Sequence, residues 1–158
     1  DVELEHVVVK LLNDKKLSIS TAESCTGGLI GDRITNVPGA SQALRGGIIA
    51  YSNEVKTDQL SVNEKTIEKF GAVSEQTAAE MAIGVKKLFS TDVGVSTTGI
   101  AGPSGGTKEK PVGLVYCGIS INDKTLTFKN NFNSDRKINK MITSQVVLNI
   151  IRKELTKI

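Results

Sequence analysis

The alternation of apolar and polar positions sorts the chain into helices and strands. Residues 2–16 put Leu4, Val7, Val8, Leu11 and Leu12 on one stripe, which predicts an amphipathic helix packed on the core. The run 17–19 reads as a short buried strand. Residues 29–34 return to helical spacing and stop at Asn36-Val37-Pro38-Gly39. A second strand is predicted over 46–52, followed by a turn or short helix over 53–60. Helices are predicted over 63–70, ended by Gly71, and over 75–89, where Ser74 is the N-cap and Ala78, Ala79, Ala82, Ile83 and Leu88 recur in helical rhythm. Residues 92–98 form another buried strand, and 112–121 with 125–132 a hairpin about Asn122-Asp123. The last element, 135–157, is a long helix whose Ile138, Met141, Ile142, Val146, Ile150 and Ile151 are expected to lie on the sheet. This order predicts an α/β three-layer sandwich, a mixed sheet flanked by helices, as a single domain over residues 1–158.

Composition narrows the function classes. At 158 residues, 39% hydrophobic and 23% charged, the chain has ordinary globular composition and enough length for a sizeable core. Only 4% of residues are aromatic, Trp is absent, and the net charge of +3 comes without a basic run. Binding of single-stranded nucleic acid wants stacking platforms along a basic groove, so no nucleic-acid partner is expected. No apolar stretch is long enough to span a membrane, and the N-terminal segment is acidic and amphipathic, unlike a signal peptide. A cytoplasmic protein without a membrane partner is expected. Two cysteines and the single His6 are too few for a disulfide framework or a zinc cluster, so no metal is expected.

The densest chemistry lies at Ser20-Thr21-Ala22-Glu23-Ser24-Cys25-Thr26-Gly27-Gly28, between a strand and a helix. Amides at a helix start suit an anion or a developing oxyanion, with Ser24 at the tip of the turn; equally, Ser24 or Thr26 could simply cap the helix. A nucleophilic serine needs a base, and His6 lies outside every loop motif. A Ser-Lys pair remains, and Lys56, just past another strand end, is the best placed lysine. Its pKa must be depressed for that role, while the plainer reading is a solvated side chain. Cys25 is the rival nucleophile, against the alternative of core packing. The glycine-rich loop 99–113 matches neither a Walker loop nor a dinucleotide fingerprint; it either closes backbone amides on an anion or is a tight connection. Arg136 and Lys140 share a helix face, where an arginine could fork onto a phosphate or carboxylate. Tyr51 and Asn53 flank the Lys56 loop.

Taken together, TAESCTGG at 21–28, AYSNEVK at 50–56, GAVSEQTAAEMA at 71–82 and TTGIAGPSGGTKEKPVG at 97–113 closely resemble the CinA C-terminal domain family, the nicotinamide-nucleotide amidohydrolases or NMN deamidases. The resemblance runs from about Val2 to Leu155. It implies hydrolysis of the carboxamide of nicotinamide mononucleotide to nicotinate mononucleotide and ammonia, in pyridine nucleotide recycling, with no metal or other cofactor. Ser24 matches the family's nucleophile, Lys56 its general base, and Tyr51 lies in the same catalytic loop. The segment Thr98–Thr107 corresponds to the nucleotide-binding stretch, so Thr98, Gly99, Gly102, Gly105, Gly106, Thr107, Asn53 and Arg136 are implied to bind substrate, with the amides around Thr26, Gly27 and Gly28 holding the oxyanion. Many members carry a second arginine shortly after the one matched by Arg136; here Asn139 and Lys140 stand there. Family members are also named for competence and DNA damage responses, and many have an N-terminal domain resembling molybdopterin-binding proteins. With Asp1 at its start, the chain is expected to be either a standalone amidase or a fragment of such a longer protein. A homodimer is the other partner considered.

Overall fold

Strands Ile19–Glu23 (β1), Leu44–Ile49 (β2), Val93–Gly99 (β3), Leu114–Ile121 (β4) and Lys124–Asn131 (β5) make one sheet in the order β2-β1-β3-β4-β5, in a computed structural model that describes residues 2–158. β1 pairs in parallel with β2 on one side and β3 on the other, while β4 runs antiparallel to both β3 and β5. The hairpin turns at Asn122-Asp123, with Asn122 at φ +54°. Because the chain leaves β1 first toward β2 and later returns on the far side as β3, the carboxyl end of β1 is a switch point where a crevice must open.

Helices cover both faces. Leu4–Lys15 (α1), Leu29–Thr35 (α2) and Arg136–Thr156 (α6) press Val8, Val9, Leu12, Ile30, Ile34, Val147, Leu148, Ile151 and Leu155 onto Ile19, Val93, Val95, Cys117 and Ile119. Asn53–Leu60 (α3), Glu64–Phe70 (α4) and Glu75–Phe89 (α5) lie on the other face, where Leu60, Met81 and Val85 pack with Ala22 and Ala50. The predicted three-layer α/β sandwich with a mixed sheet is the fold found. At Gly84 of α5, an added Cβ would lie 1.8 Å from Leu60 O, so only glycine lets α5 ride against the end of α3.

Several local expectations are corrected. β1 does not end at residue 19; it continues through Ser20, Thr21, Ala22 and Glu23, all buried. Parallel partners on both edges satisfy the backbone, and Ser20 Oγ bonds Val85 O at 3.1 Å and Thr91 Oγ1 at 2.7 Å. Buried hydroxyls are tolerated once paired. β2 starts two residues before the predicted position. On α5 the buried stripe is Thr77, Ala78, Met81, Ala82, Gly84 and Val85, with Leu88 exposed. On α6 the buried stripe is Asn139, Thr143, Ser144, Val147, Leu148, Ile151 and Leu155, whereas Ile138 and Met141 face outward. Its first turns dock through hydrogen bonds rather than apolar contact, which a hydrophobicity pattern cannot register.

Candidate active site

Strand alternation decides which side chain faces which layer. Ala22 belongs to the α3/α5 cluster, so Ser24, two residues on, points to the same side. Ser24 N donates to Thr97 O at 3.0 Å, extending the β1–β3 ladder one residue past the strand. From the neighbouring strand β2, residues 50–52 lead into α3, whose N-cap Ser52 accepts from Val55 N. One turn into α3, Lys56 points back under the Ser24 turn. Its Nζ is 3.2 Å from Ser24 Oγ, 2.9 Å from Ala50 O and 3.3 Å from Tyr51 O. Lys56 is 2% exposed and Ser24 7%.

Burial lowers the Lys56 pKa below the ordinary lysine value, and among the described residues no carboxylate offsets the lost hydration of the ammonium. In the neutral amine that burial favours, the hydrogen bonds divide by role. Two carbonyls take its two N–H donors, and its lone pair is left for a hydroxyl proton.

Around the pair lies a cleft of about 270 Å³ lined by Ser24, Cys25, Tyr51, Asn53, Lys56, Thr98, Gly99, Gly102, Gly105 and Arg136, with Ala72, Val73, Ile100, Ala101 and Ser104 completing the wall. Thr26, Gly27, Gly28, Gly106 and Thr107 lie outside that lining. The Thr98 hydroxyl donates to Ala72 O at 2.7 Å, joining β3 to the segment before α5. Ala72 and Val73 were missed as wall residues: an Ala-Val pair carries no chemical signal, and only the topology brings it to the crevice. His6 is exposed on α1, 3.7 Å from Glu3, far in the chain from these elements.

The helix end that was expected to offer its amides to an anion is already occupied. Glu23, on the opposite face of β1 from Ser24, curls over the turn so that Oε1 accepts from Ile30 N at 2.9 Å and Oε2 from Gly31 N at 3.0 Å. Thr26 Oγ1 donates to Glu23 Oε1 at 2.6 Å and lies 2.8 Å from Thr97 Oγ1. Gly27 N is bonded to Ser24 O and Leu29 N to Thr26 O. Sequence reading passed over Glu23; the signal available was an ionisable residue closing a run of buried ones. Cys25 is a poor nucleophile here. Burial, reinforced by the Glu23 charge, pushes its thiol up to about 11 despite the Thr97 hydrogen bond.

Across the cleft, Arg136 Nη1 donates to Gly102 O at 2.7 Å and Nη2 to Tyr51 Oη at 2.9 Å. Asn139, where many relatives were expected to show an arginine, is buried and donates to Ala101 O and Ser134 O, both at 2.9 Å. Lys140 reaches the other way, its Nζ about 3.5 Å from where a Gly27 Cβ would stand. The loop 99–113 takes the tight-connection form at Gly102, Gly105 and Gly113, all at positive φ near +90°.

Comparison with known proteins agrees with this architecture. The family model described as the CinA C-terminal domain matches residues 1–155. A Clostridium perfringens protein provisionally named competence-damage inducible protein is 52% identical over all 158 residues, and a CinA-like protein from Kosmotoga olearia is 53% identical over 152. The chain spans 38% and 37% of the length of these two relatives. Among solved structures, the competence/damage inducible protein CihA from Agrobacterium tumefaciens aligns with a TM-score of 0.91 at 35% identity, covering 99% of this chain and 97% of that one. A CinA superfamily protein from Klebsiella pneumoniae aligns with a TM-score of 0.95 at 26% identity, covering 98% and 97%. The chain therefore belongs to the CinA C-terminal domain family.

Proposed function

We propose that this domain hydrolyses the carboxamide of nicotinamide mononucleotide to nicotinate mononucleotide and ammonia, with Ser24 as nucleophile and Lys56 as general base. The observation that carries this reading is the buried Lys56 amine 3.2 Å from Ser24 Oγ, with two carbonyls accepting from it and burial favouring its neutral form. Lys56 takes the Ser24 proton as Oγ attacks the amide carbon. The Cys25 and Thr26 N–H groups, which have no carbonyl partner among the described residues, are assigned to the oxyanion. Protonated Lys56 returns its proton to the leaving nitrogen, which departs as ammonia and leaves an ester on Ser24. Water, deprotonated by Lys56, then attacks the ester carbonyl and frees the carboxylate and Ser24. Arg136 is assigned to the substrate's anionic end and Tyr51, whose hydroxyl it bonds, to the catalytic loop beside Lys56, with Asn53 and residues 98–105 as the wall.

Ammonia release from nicotinamide mononucleotide tests the reading directly. Wild type turns the nucleotide over, and Ser24→Ala or Lys56→Ala lowers kcat by roughly a thousandfold or more. A wild type that releases no ammonia, or variants at full rate, overturns it. The relatives' competence-damage names favour a second reading, a module that binds nucleotide or partner without turnover. Calorimetry showing nucleotide binding with no product would select it. On either reading the domain is expected in the cytoplasm, with a pyridine nucleotide as ligand and a homodimer or a preceding domain as further partners.

A further inference from the structure

We propose that Glu23 is the positioning residue of the Ser24 turn, setting the Ser24–Lys56 separation and hence turnover, without contributing to nucleotide binding. This rests on the assignment of Ser24 and Lys56 just made. The carboxylate is 2% exposed and has no cation within ion-pair distance among the described residues, an arrangement that is costly unless every oxygen is well bonded. Here it is. Glu23 bridges seven and eight residues forward to the amides of Ile30 and Gly31, so its side chain closes a ring around residues 24–28. Those first-turn amides and the positive helix end supply the compensation that a cation would otherwise provide.

The carboxylate also gives the hydroxyls beside it a direction. A carboxylate only accepts, so Thr26 donates to Glu23 Oε1 and must accept from Thr97 Oγ1. Thr26 and Thr97 are 1% and 0% exposed, and this chain runs from the turn to β3. The backbone of the same two elements is joined by Ser24 N to Thr97 O, and the turn is closed inside by Gly27 N to Ser24 O. Ser24 thus sits between a fixed strand end and a fixed helix start, both referred to Glu23. Neither Glu23 nor Thr97 lines the cleft or is assigned a contact with substrate, so a change in either acts on the Ser24 turn rather than on substrate contacts.

Substituting Glu23→Gln keeps the size but presents an NH₂ group to a donor, leaving an N–H or the Thr26 hydroxyl unmatched. The experiment measures kcat and KM for nicotinamide mononucleotide, thermal midpoint, and the crystal structure of that variant, with Thr97→Val and Thr97→Ser alongside. Expected are a kcat lower by about tenfold to a hundredfold with KM within about twofold, since small displacements of reacting groups are costly. The crystal should show Ser24 Oγ beyond hydrogen-bond range of Lys56 Nζ, with Thr97→Val lowering kcat and Thr97→Ser restoring it. A Glu23→Gln enzyme that keeps both its separation and its kcat, one that raises KM alone, or equal behaviour of the two Thr97 variants overturns the proposal. Where Glu23→Gln does not fold, the Thr97 pair decides. A wild type without deamidase activity removes the assigned reaction, while the crystallographic separation still decides whether Glu23 sets the geometry.

Discussion

Arg136 Nη2 donates to Tyr51 Oη at 2.9 Å, although the two residues are 85 positions apart in sequence. With the bond from Nη1 to Gly102 O, this guanidinium joins α6, the β2–α3 connection and the glycine-rich loop at one rim of the cleft. A planar fork with donors on both edges suits an anionic substituent. Arg136→Ala is expected to raise KM for the mononucleotide by about tenfold or more, the value of a charge-assisted hydrogen bond. The nicotinamide nucleoside, which lacks the phosphate, should be much less affected. Steady-state kinetics with both compounds checks this; equal losses for the two would show that Arg136 acts only by holding the loop.

The buried Lys56 makes stability and rate depend on pH. Burial lowers its native pKa below the ordinary 10.5, so between the two values the unfolded chain binds more protons. Stability therefore rises with pH in that window. The contribution is complete above the unfolded pKa and is lost as pH falls through the native one. Thermal midpoints of wild type and Lys56→Met should draw together as pH is raised from about 7 toward 10, the reverse of what a salt-bridged lysine gives. The rate responds lower down: kcat/KM should climb as pH rises toward the native pKa and level off above it. Lys56→Arg should stay inactive throughout, because a guanidinium does not release its proton.

Cys25 tests the choice of nucleophile. With its thiol pushed up to about 11, almost no thiolate exists near neutral pH. Iodoacetamide at pH 7.5 should leave native Cys25 unmodified, as mass spectrometry of a tryptic digest would show, and label it readily in denaturant. Cys25→Ala should keep most of its turnover under conditions where Ser24→Ala has none.

Two packing features set the stability scale. Gly84→Ala forces a methyl into Leu60 O and should cost about 3 kcal/mol or more, at the upper end for overpacking. Asn139→Ala leaves Ala101 O, Ser134 O and Ser134 N without their partner and should cost about 1–3 kcal/mol for each group left buried and unpaired. Urea denaturation measures both. An Asn139→Ala protein as stable as wild type would mean that water takes over those bonds.

What the residues disclosed in advance follows from which forces act locally. Helix α5 and its Ser74 cap could be read because the signals lie within one turn of each other, and the hairpin because its turn residues sit between two β-rich runs. The pairing of Ser24 with Lys56 follows from eliminating His6 and from both residues standing just past a strand end; the distance itself depends on β1 and β2 being neighbours, which no residue in either loop specifies. The extent of β1 was hidden because Ser20 and Thr21 look like turn residues until Val85 and Thr91 arrive from elsewhere to bond them. The occupied end of α2 was hidden for a similar reason. Glu23 caps from behind, seven residues upstream, where the usual N-cap position holds a glycine.

The docking of α6 changes character along its length. Near the cleft it is fastened by hydrogen bonds, Asn139 to Ala101 O and Arg33 to Ser144 Oγ, and farther on by Val147, Leu148, Ile151 and Leu155. Water can replace the first kind of fastening far more easily than the second. The segment bearing Arg136 can therefore detach and re-seat while the rest of the helix stays anchored, so amide protons there should exchange ahead of those in the anchored half. The domain would then have a rim that breathes on a rigid stem and, under the proposed reaction, a route for a spent nucleotide to leave without loosening the sheet beneath it.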